Sequence, residues 1–271
     1  MKNLKNAFLL FSFLMVITSG CQKDPVSTIT EITPPVTAEE SSLLAEQTFN
    51  DINTFSDNYM KESGLKSQPL EPCPSVTWNL SALPFSLSFD WGTGCTGTDN
   101  LSRKGKITVS LTGKMDVANS IATFAFDNYY TQGYKLTGVH KLTYVGFLAG
   151  TSHPKYYVFT EARIDFPNGK FMTYRSESFR ILAEGASTVA LEDDVWRTEG
   201  TSRGVTADGV SWTARVNSAL VKYATCRWIS KGIMMITPKD LPEFKVDFGE
   251  GTCDNKATVT KNDKTYTIEM K

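Results

Sequence analysis

From about Val76 to its C-terminus, the chain consists of β-rich segments separated by short turn signals, with no second helical pattern among them. Thr, Val, Tyr, Phe and Trp dominate these segments, which is typical of strands. Strands joined by short turns pair as antiparallel neighbours, whereas parallel strands require long crossover connections. The sequence therefore predicts an antiparallel meander.

Three turn dipeptides predict the register of three hairpins: Asn168-Gly169, Asp208-Gly209 and Asn262-Asp263. Each is interpreted as a two-residue hairpin turn, of the type I′ class for the first two. The predicted facing pairs are Phe166 with Phe171, Ile164 with Thr173, Val158 with Phe179, Val205 with Trp212, Thr201 with Val216, and Val259 with Tyr266.

Several of the predicted strands are long. Residues 120–130, 134–146 and 155–166 each exceed the usual five or six residues of a strand. Long twisted strands in a meander curl the sheet. The predicted fold is thus mainly β, a long antiparallel meander forming a curved sheet or an incomplete barrel, with one N-terminal amphipathic helix.

That helix is predicted over residues 37–64. Thr37 and Glu40 fit a capping box, and Gly64 fits the C-terminal stop. One helical face carries a stripe with spacings of four, four, three and four: Leu44, Thr48, Ile52, Phe55 and Tyr59. Burial of this stripe against a sheet is the expected role, and a partner-binding or membrane-surface helix is the alternative.

The N-terminus has the pattern of an export signal. Lys2 and Lys5 precede an apolar run over residues 7–17, and small residues then lead to Cys21. This order resembles a bacterial lipoprotein lipobox, which implies that Cys21 is lipidated and tethers the protein to a membrane. The predicted organisation is a signal peptide over residues 1–20, the lipidated cysteine and a flexible tether over 21–36, the helix over 37–64, and a single β domain over 65–271.

The charge balance argues against one class of partner. Without its leader the chain has 26 Lys and Arg against 29 Asp and Glu, a formal charge of −3, because Lys2 and Lys5 are two of the 28 basic residues. A nucleic-acid-binding protein requires a basic surface. We therefore expect no nucleic-acid partner.

The body of the chain has four cysteines: Cys73, Cys95, Cys226 and Cys253. An even number in an exported chain indicates disulfides, and four cysteines allow three pairings. A structural zinc site is the competing interpretation, but no Cys-x-x-Cys spacing is present and the two histidines lie far off in sequence. The sequence thus favours disulfides and predicts no metal or cofactor.

An internal repeat favours one pairing. Each unit has a cysteine, about two strands of sequence, and a second cysteine just after an Asp-aromatic-Gly-x-Gly motif. The simplest geometry closes each unit locally, joining Cys73 to Cys95 and Cys226 to Cys253. The motif itself is interpreted as a tight structural turn, with glycines at positive φ and an aspartate that accepts turn amides, rather than as a phosphate or calcium loop. The turn residues are Asp90, Gly92, Gly94, Asp247, Gly249 and Gly251.

These motifs resemble those of a Bacteroidota lipoprotein family of unassigned activity. The similar segments are residues 90–96, 103–107, 226–228 and 247–257, and the resemblance spans nearly the whole mature chain. It implies an exported outer-membrane lipoprotein of the cell envelope, on the periplasmic or the cell-surface face. It implies no catalytic residue.

No motif of nucleophilic or metal-dependent hydrolysis is present in the sequence. Alternating charges at Glu161, Arg163 and Asp165, and at Arg175 and Glu177, are interpreted as a solvated cross-strand ladder. The sequence therefore predicts a non-enzymatic binding or structural component, with a carboxylate-dependent glycan hydrolase as the alternative.

Aromatic residues are the remaining indication of a ligand. Core packing is the default for most of them, but a curved sheet with an aromatic face suits a glycan or lipid ligand. The candidates are Tyr129, Tyr130, Tyr134, Tyr144, Tyr156, Tyr157, Tyr174, Trp196, Trp212 and Trp228.

Overall fold

A computed structural model of the chain describes residues 34–61 and 73–270. The leader, Cys21, most of the tether and Gly64 lie outside the described residues. The described elements are α1 (Ala38–Lys61), β1 (Ser75–Asn79), β2 (Phe85–Asp90), β3 (Cys95–Thr96), β4 (Ser102–Leu111), β5 (Ile121–Thr131), β6 (Tyr134–Phe147), β7 (Pro154–Asp165), β8 (Phe171–Glu184), β9 (Val195–Val205), β10 (Ser211–Tyr223), β11 (Lys231–Pro238), β12 (Phe244–Glu250), β13 (Lys256–Lys261) and β14 (Lys264–Glu269).

The described strands form one antiparallel sheet in which each strand pairs with its neighbours in the chain. The short β3 is an exception, since it pairs only with β4 while β2 also pairs with β4. Strands β1 and β14 are the two edges, so the sheet is open. The prediction of a mainly β meander with one N-terminal helix is confirmed.

Glycines allow neighbouring strands to approach one another closely at two positions. Gly138 in β6 has φ +120°, and a Cβ atom there would collide with the carbonyl oxygen of Glu161 on β7. A Cβ atom on Gly204 in β9 would lie 2.8 Å from the ring of Trp212 on β10. Such glycines within strands permit close backbone contact and curvature.

Two of the three predicted hairpin registers are wrong by one residue. Between β7 and β8, Asp165 faces Phe171. This hairpin has a three-residue loop over residues 167–169 in place of the predicted two-residue turn. The reason is Pro167, which has no N–H and so cannot form the hydrogen-bonded pair with Lys170 that a two-residue loop needs. The Phe166 amide donates to the Lys170 carbonyl instead, at 2.9 Å. The observed facing pairs are Ile164 with Met172, Arg163 with Thr173, Tyr157 with Phe179, Val158 with Ser178, and Asp165 with Phe171.

The β9–β10 hairpin differs from its prediction in the same way. Val205 faces Ser211, while Trp212 faces Gly204 and Thr201 faces Arg215. Within the dipeptide only Gly209 has a positive φ, +86°, whereas a type I′ turn needs two such residues.

The third register is confirmed. Asn262 and Asp263 have φ of +49° and +61°, and Val259 faces Tyr266.

The capping box of α1 is present as predicted. The Glu40 amide donates to Thr37 Oγ1 at 3.2 Å, and Glu40 Oε2 accepts from the Thr37 amide at 3.3 Å. Just before it, Pro34 and Pro35 are buried, and the Pro35 carbonyl accepts from the Ala207 amide at 3.3 Å. The end of the predicted tether therefore already packs on the β domain.

The sheet encloses the helix. Every side chain of α1 that the structure describes is buried or half-buried, including the predicted apolar stripe. Helix contacts extend over most of the sheet: Phe55 packs on Phe89 in β2, Thr48 lies beside Tyr134 in β6, Ser42 donates to Met234 in β11, and Glu39 accepts from Tyr266 in β14. The helix is therefore the centre of the hydrophobic core. Within the described residues, no helix has the length and apolar character needed to cross a membrane.

Two disulfides join the predicted cysteine pairs. The Cα atoms are 6.4 Å apart in Cys73–Cys95 and 5.7 Å apart in Cys226–Cys253. The first joins the start of β1 to β3, and the second joins the β10–β11 loop to the β12–β13 loop. Each bond is local, and the predicted pairing is confirmed.

Candidate functional site

A large groove lies on the face of the sheet opposite the helix. It has a volume of about 1040 Å³, opens to solvent, and crosses strands β6 to β11. We call it the outer groove. Its floor is the backbone of one row of residues that face each other across the strands, and the large side chains of this row point toward the helix. The row consists of Gly138, Ala162, Tyr174, Gly204, Trp212 and Pro238.

Rows of outward-facing side chains flank this floor. One row contains the hydroxyl residues Thr137, Thr173 and Ser211 together with Arg163 and Val205. The other row runs Glu161, Arg175, Arg203, Thr213 and Thr237. The β11–β12 loop closes one end of the groove with residues 239–242. The walls therefore present hydroxyl groups and charges above a floor of backbone.

The predicted ladder of alternating charges forms part of these walls. Arg175 donates to Glu161 at 3.1 Å and to Glu177 at 3.0 Å, and Arg163 contacts Asp165 at 2.6 Å. These pairs are exposed, and exposed pairs contribute little to stability. They do fix where the guanidinium groups lie.

Aromatic rings on the outer face lie beside the same arginines. The Arg163 guanidinium lies 3.6 Å from the centroid of Phe171, and the Arg175 guanidinium lies 5.0 Å from that of Phe159. Such cation–π contacts hold a long side chain against the sheet.

Arg203 is different from its neighbours. It is exposed, and no carboxylate of the described residues lies within 4 Å of its guanidinium. Its direct cross-strand neighbours are Arg175 on β8 and Thr213 on β10. A positive charge therefore faces another positive charge at the centre of the groove wall.

A second cluster of polar groups lies inside the protein, between helix and sheet. Glu39, Glu46, Asn53 and Asp57 follow one another at intervals of seven, seven and four along α1, so they share a helical face. We call them the polar stripe. Tyr174 donates to Glu46 at 2.6 Å, and Arg180 donates to Asp57 at 2.6 Å. Burial raises the pKa of Glu46, and the hydrogen bond from Tyr174 opposes that shift.

His140 is the partner of Asn53. Asn53 Oδ1 accepts from His140 Nε2 at 2.9 Å, and Thr160 donates to Nδ1 at 2.9 Å. This arrangement uses the neutral imidazole with its proton on Nε2. Burial lowers the pKa of His140 to about 3, and the positive charge of Arg180 adds to the shift.

A neighbouring group surrounds Asp51. Gln47 donates to Asp51 at 2.7 Å and Arg227 donates at 3.3 Å. Burial raises the pKa of Asp51 despite the charge of Arg227. Burial also lowers the pKa of Lys222 to about 8, and its ammonium donates to the Cys226 carbonyl at 2.8 Å.

These interior groups have no space for a substrate. The two cavities that border the polar stripe have volumes of about 20 and 10 Å³, enough for about one water molecule each. In the described part of the chain, no cluster of three His, Cys, Asp or Glu residues could hold a metal ion. The interior groups thus join helix to sheet, and the outer groove is the candidate site.

The chain matches no family model, no curated protein and no solved structure.

The predicted turn residues lie away from the outer groove. Gly92 donates to Asp90 at 2.7 Å and Gly249 donates to Asp247 at 3.0 Å, and all four motif glycines have positive φ. None of these residues lines the groove. They shape the loops that carry Cys95 and Cys253.

Most of the candidate aromatic residues belong to the core. Tyr129, Tyr134, Tyr144, Tyr174, Trp196 and Trp212 are all buried. Tyr157 lies on the outer face and donates to Glu177 at 3.3 Å. Six of the ten candidates therefore lie in the interior rather than on an open face of the sheet.

Sequence analysis did not identify Arg203, Thr213 or Lys239 as site residues. The alternation of Ser202, Arg203 and Gly204 places Arg203 on the outer face, but only the register shows that it faces Arg175. The one usable signal was Gly204, a glycine within a strand.

Proposed function

We propose that this protein is an exported, lipid-anchored component of the cell envelope whose β domain binds a glycan in the outer groove, without catalysing a reaction. The anchor is Cys21, which follows the apolar leader and small residues of a lipobox-like segment. The two disulfides support export, because such bonds persist in oxidising compartments.

The observation that carries the binding proposal is the outer groove. Its volume of about 1040 Å³ is at the upper end of ligand sites. Hydroxyl side chains from β6, β8, β10 and β11 line it, and they match the hydrogen-bonding groups of a sugar chain. An elongated groove across six strands spans about 24 Å, given the usual strand spacing.

Binding explains the site better than glycan hydrolysis does. A glycosidase uses two carboxyl groups across the scissile bond, one of which must carry a proton. The carboxylates that line the groove are Glu161 and Asp240, and Glu161 is exposed and paired with Arg175. The carboxyl groups with raised pKa, Glu46 and Asp51, are enclosed beside the helix.

The anchor is tested by Cys21→Ser. We expect the variant to lose fatty-acid labelling and to leave the membrane fraction or to accumulate as uncleaved precursor, because no other residue of the leader supplies the thiol. Ser27→Ala in the tether is the control and should remain lipidated. Labelled fatty acid in the Cys21→Ser protein would contradict the proposed anchor.

The groove is tested by Ser211→Trp, which places an indole in its wall. We expect the purified protein to bind members of a glycan array and the variant to lose at least about tenfold in affinity, or about 1.4 kcal/mol. Asn217→Trp is the control, since Asn217 is exposed on the same strand outside the groove. Equal binding by wild type and Ser211→Trp would place the glycan site elsewhere.

A further inference from the structure

We infer that the ligand of the outer groove is an acidic saccharide chain, whose carboxylate or sulfate group is bound by Arg203 together with Arg175. This inference rests on the proposed function, since it names the class of glycan that the groove takes. It requires a cation without a direct salt bridge, a second cation beside it, and hydroxyl groups nearby.

The charges that line the groove are unequal. Four cations, Arg163, Arg175, Arg203 and Lys239, stand against two carboxylates, Glu161 and Asp240. Two flanking carboxylates outside the groove offset this excess, because Asp165 pairs with Arg163 and Glu177 pairs with Arg175. The charges are therefore balanced in number but not in position. Neither Arg203 nor Lys239 has a carboxylate within 4 Å among the described residues, which leaves Arg203 as a groove cation without a direct salt bridge.

The pairing of Arg203 with Arg175 points to a bound anion. Directly opposite residues on antiparallel strands have Cβ atoms about 4.5–5.5 Å apart, and like charges at that distance oppose strand pairing. Arg175 has carboxylates on both sides, but Arg203 has Thr213 on its other side. An anion placed between the two guanidinium groups removes the repulsion and accepts charge-assisted hydrogen bonds from both.

The surroundings of Arg203 favour a sugar acid over a lipid phosphate. Thr173, Thr213 and Thr237 lie in the rows around it and offer hydroxyl groups along the groove. A lipid headgroup would need an adjoining apolar cavity for acyl chains, and the interior cavities next to the sheet hold about 20 and 10 Å³. A chain of sugars with acidic groups matches the length of the groove and the hydroxyl and guanidinium groups along its walls.

The test measures binding of the purified full-length protein to a panel of carboxylated, sulfated and neutral oligosaccharides. The panel includes oligogalacturonate and its methyl ester, which differ only in charge, and phosphatidylglycerol vesicles as the lipid arm. We expect acidic members to bind, their methyl-esterified or neutral counterparts to bind at least about tenfold more weakly, and affinity to fall as salt is raised.

The variant Arg203→Gln should lower affinity for the acidic members by about tenfold or more. Its melting temperature should equal or exceed that of wild type, because a like-charge pair is removed. Arg197→Gln is the matched control: Arg197 is exposed on the same strand, six residues away and outside the groove. It should leave binding unchanged.

Each other outcome has a defined meaning. Binding of neutral glycans alone, or acidic binding that Arg203→Gln leaves intact, would overturn this inference while keeping a glycan-binding groove. Vesicle binding that Arg203→Gln weakens would overturn it in favour of a lipid ligand, because vesicle binding through the anchor at Cys21 is the same in both proteins. Binding of no member of the panel or of the wider array would overturn the proposed function itself.

Discussion

His140 is a buried base held in its neutral form at the centre of the helix–sheet contact. Its two ring nitrogens are both used, one by Asn53 on the helix and one by Thr160 on β7. A proton on Nδ1 would remove the hydrogen bond from Thr160 and place a second positive charge near Arg180. The sequence gives no sign of this role, since one histidine in a β-rich segment has no pattern.

The histidine makes stability depend on pH. Its pKa is about 3 in the folded protein and near 6.5 in the unfolded chain, so the unfolded chain takes up the proton first as pH falls below about 6.5. The contribution of the neutral His140 to the free energy of unfolding is complete above pH 6.5 and is lost between pH 6.5 and pH 3. From pH 7 to pH 5 we expect a loss of about 2 kcal/mol in the free energy of unfolding.

Urea unfolding of wild type and His140→Gln at pH 7 and pH 5 measures this contribution. Other groups titrate in both proteins, so the difference between the two isolates the histidine. The variant should lose about 2 kcal/mol less than wild type over this range. Identical losses would show that His140 does not set the pH dependence.

Among the elements, α1 is unusual because its polar stripe is buried as thoroughly as its apolar one. The spacing of the apolar stripe predicts its burial, and that burial is confirmed. Spacing does not predict burial of the polar stripe, because Glu, Asn and Asp side chains ordinarily face water. Their partners Tyr266, Tyr174, His140 and Arg180 lie 87 to 227 residues away in the chain.

The Asp57–Arg180 pair shows what this burial means for stability. The Arg180 side chain is 3% exposed and that of Asp57 is 15% exposed. Asp57→Ala leaves a buried charge without its partner and should reduce the free energy of unfolding by about 3–5 kcal/mol. Asp57→Ala combined with Arg180→Met removes both charges and should be less destabilising than the single variant.

Asp165→Ala is the control for this pair, because Asp165 pairs with the half-exposed Arg163. It should lower stability by less than about 1 kcal/mol. Chemical denaturation of the four proteins compares them directly. A double variant that is as unstable as Asp57→Ala would mean that lost packing, rather than the unpaired charge, dominates.

The three hairpins show when the turn dipeptide alone determines the register and when residues outside the dipeptide do. Asn262-Asp263 forms the expected turn because both residues adopt positive φ. The other two turns depend on neighbours that the dipeptide does not contain: Pro167, which cannot donate, and Ala207, whose amide bonds to Pro35. A slip of one residue exchanges faces, so Phe166 is 4% exposed and Phe171 is 42% exposed.

At the scale of the whole molecule, strand order could be predicted because short turns link successive strands. The two disulfides could be predicted because each closes one repeat unit. The outer groove could not, because it depends on the register of six strands and on the close strand contacts that Gly138 and Gly204 allow. The lining residues come together only when the sheet is complete.

The enclosed helix has a mechanical consequence for the anchor proposed at Cys21. A pull on Cys21 is transmitted along the chain to Thr37 and so to α1, which is in contact with strands from β2 to β14. The load then acts in shear on many hydrogen bonds and on the Asp57–Arg180 pair at the same time, instead of peeling one edge strand. With the anchor proposed at Cys21, the domain is held at the start of its enclosed helix rather than at an edge strand of the sheet.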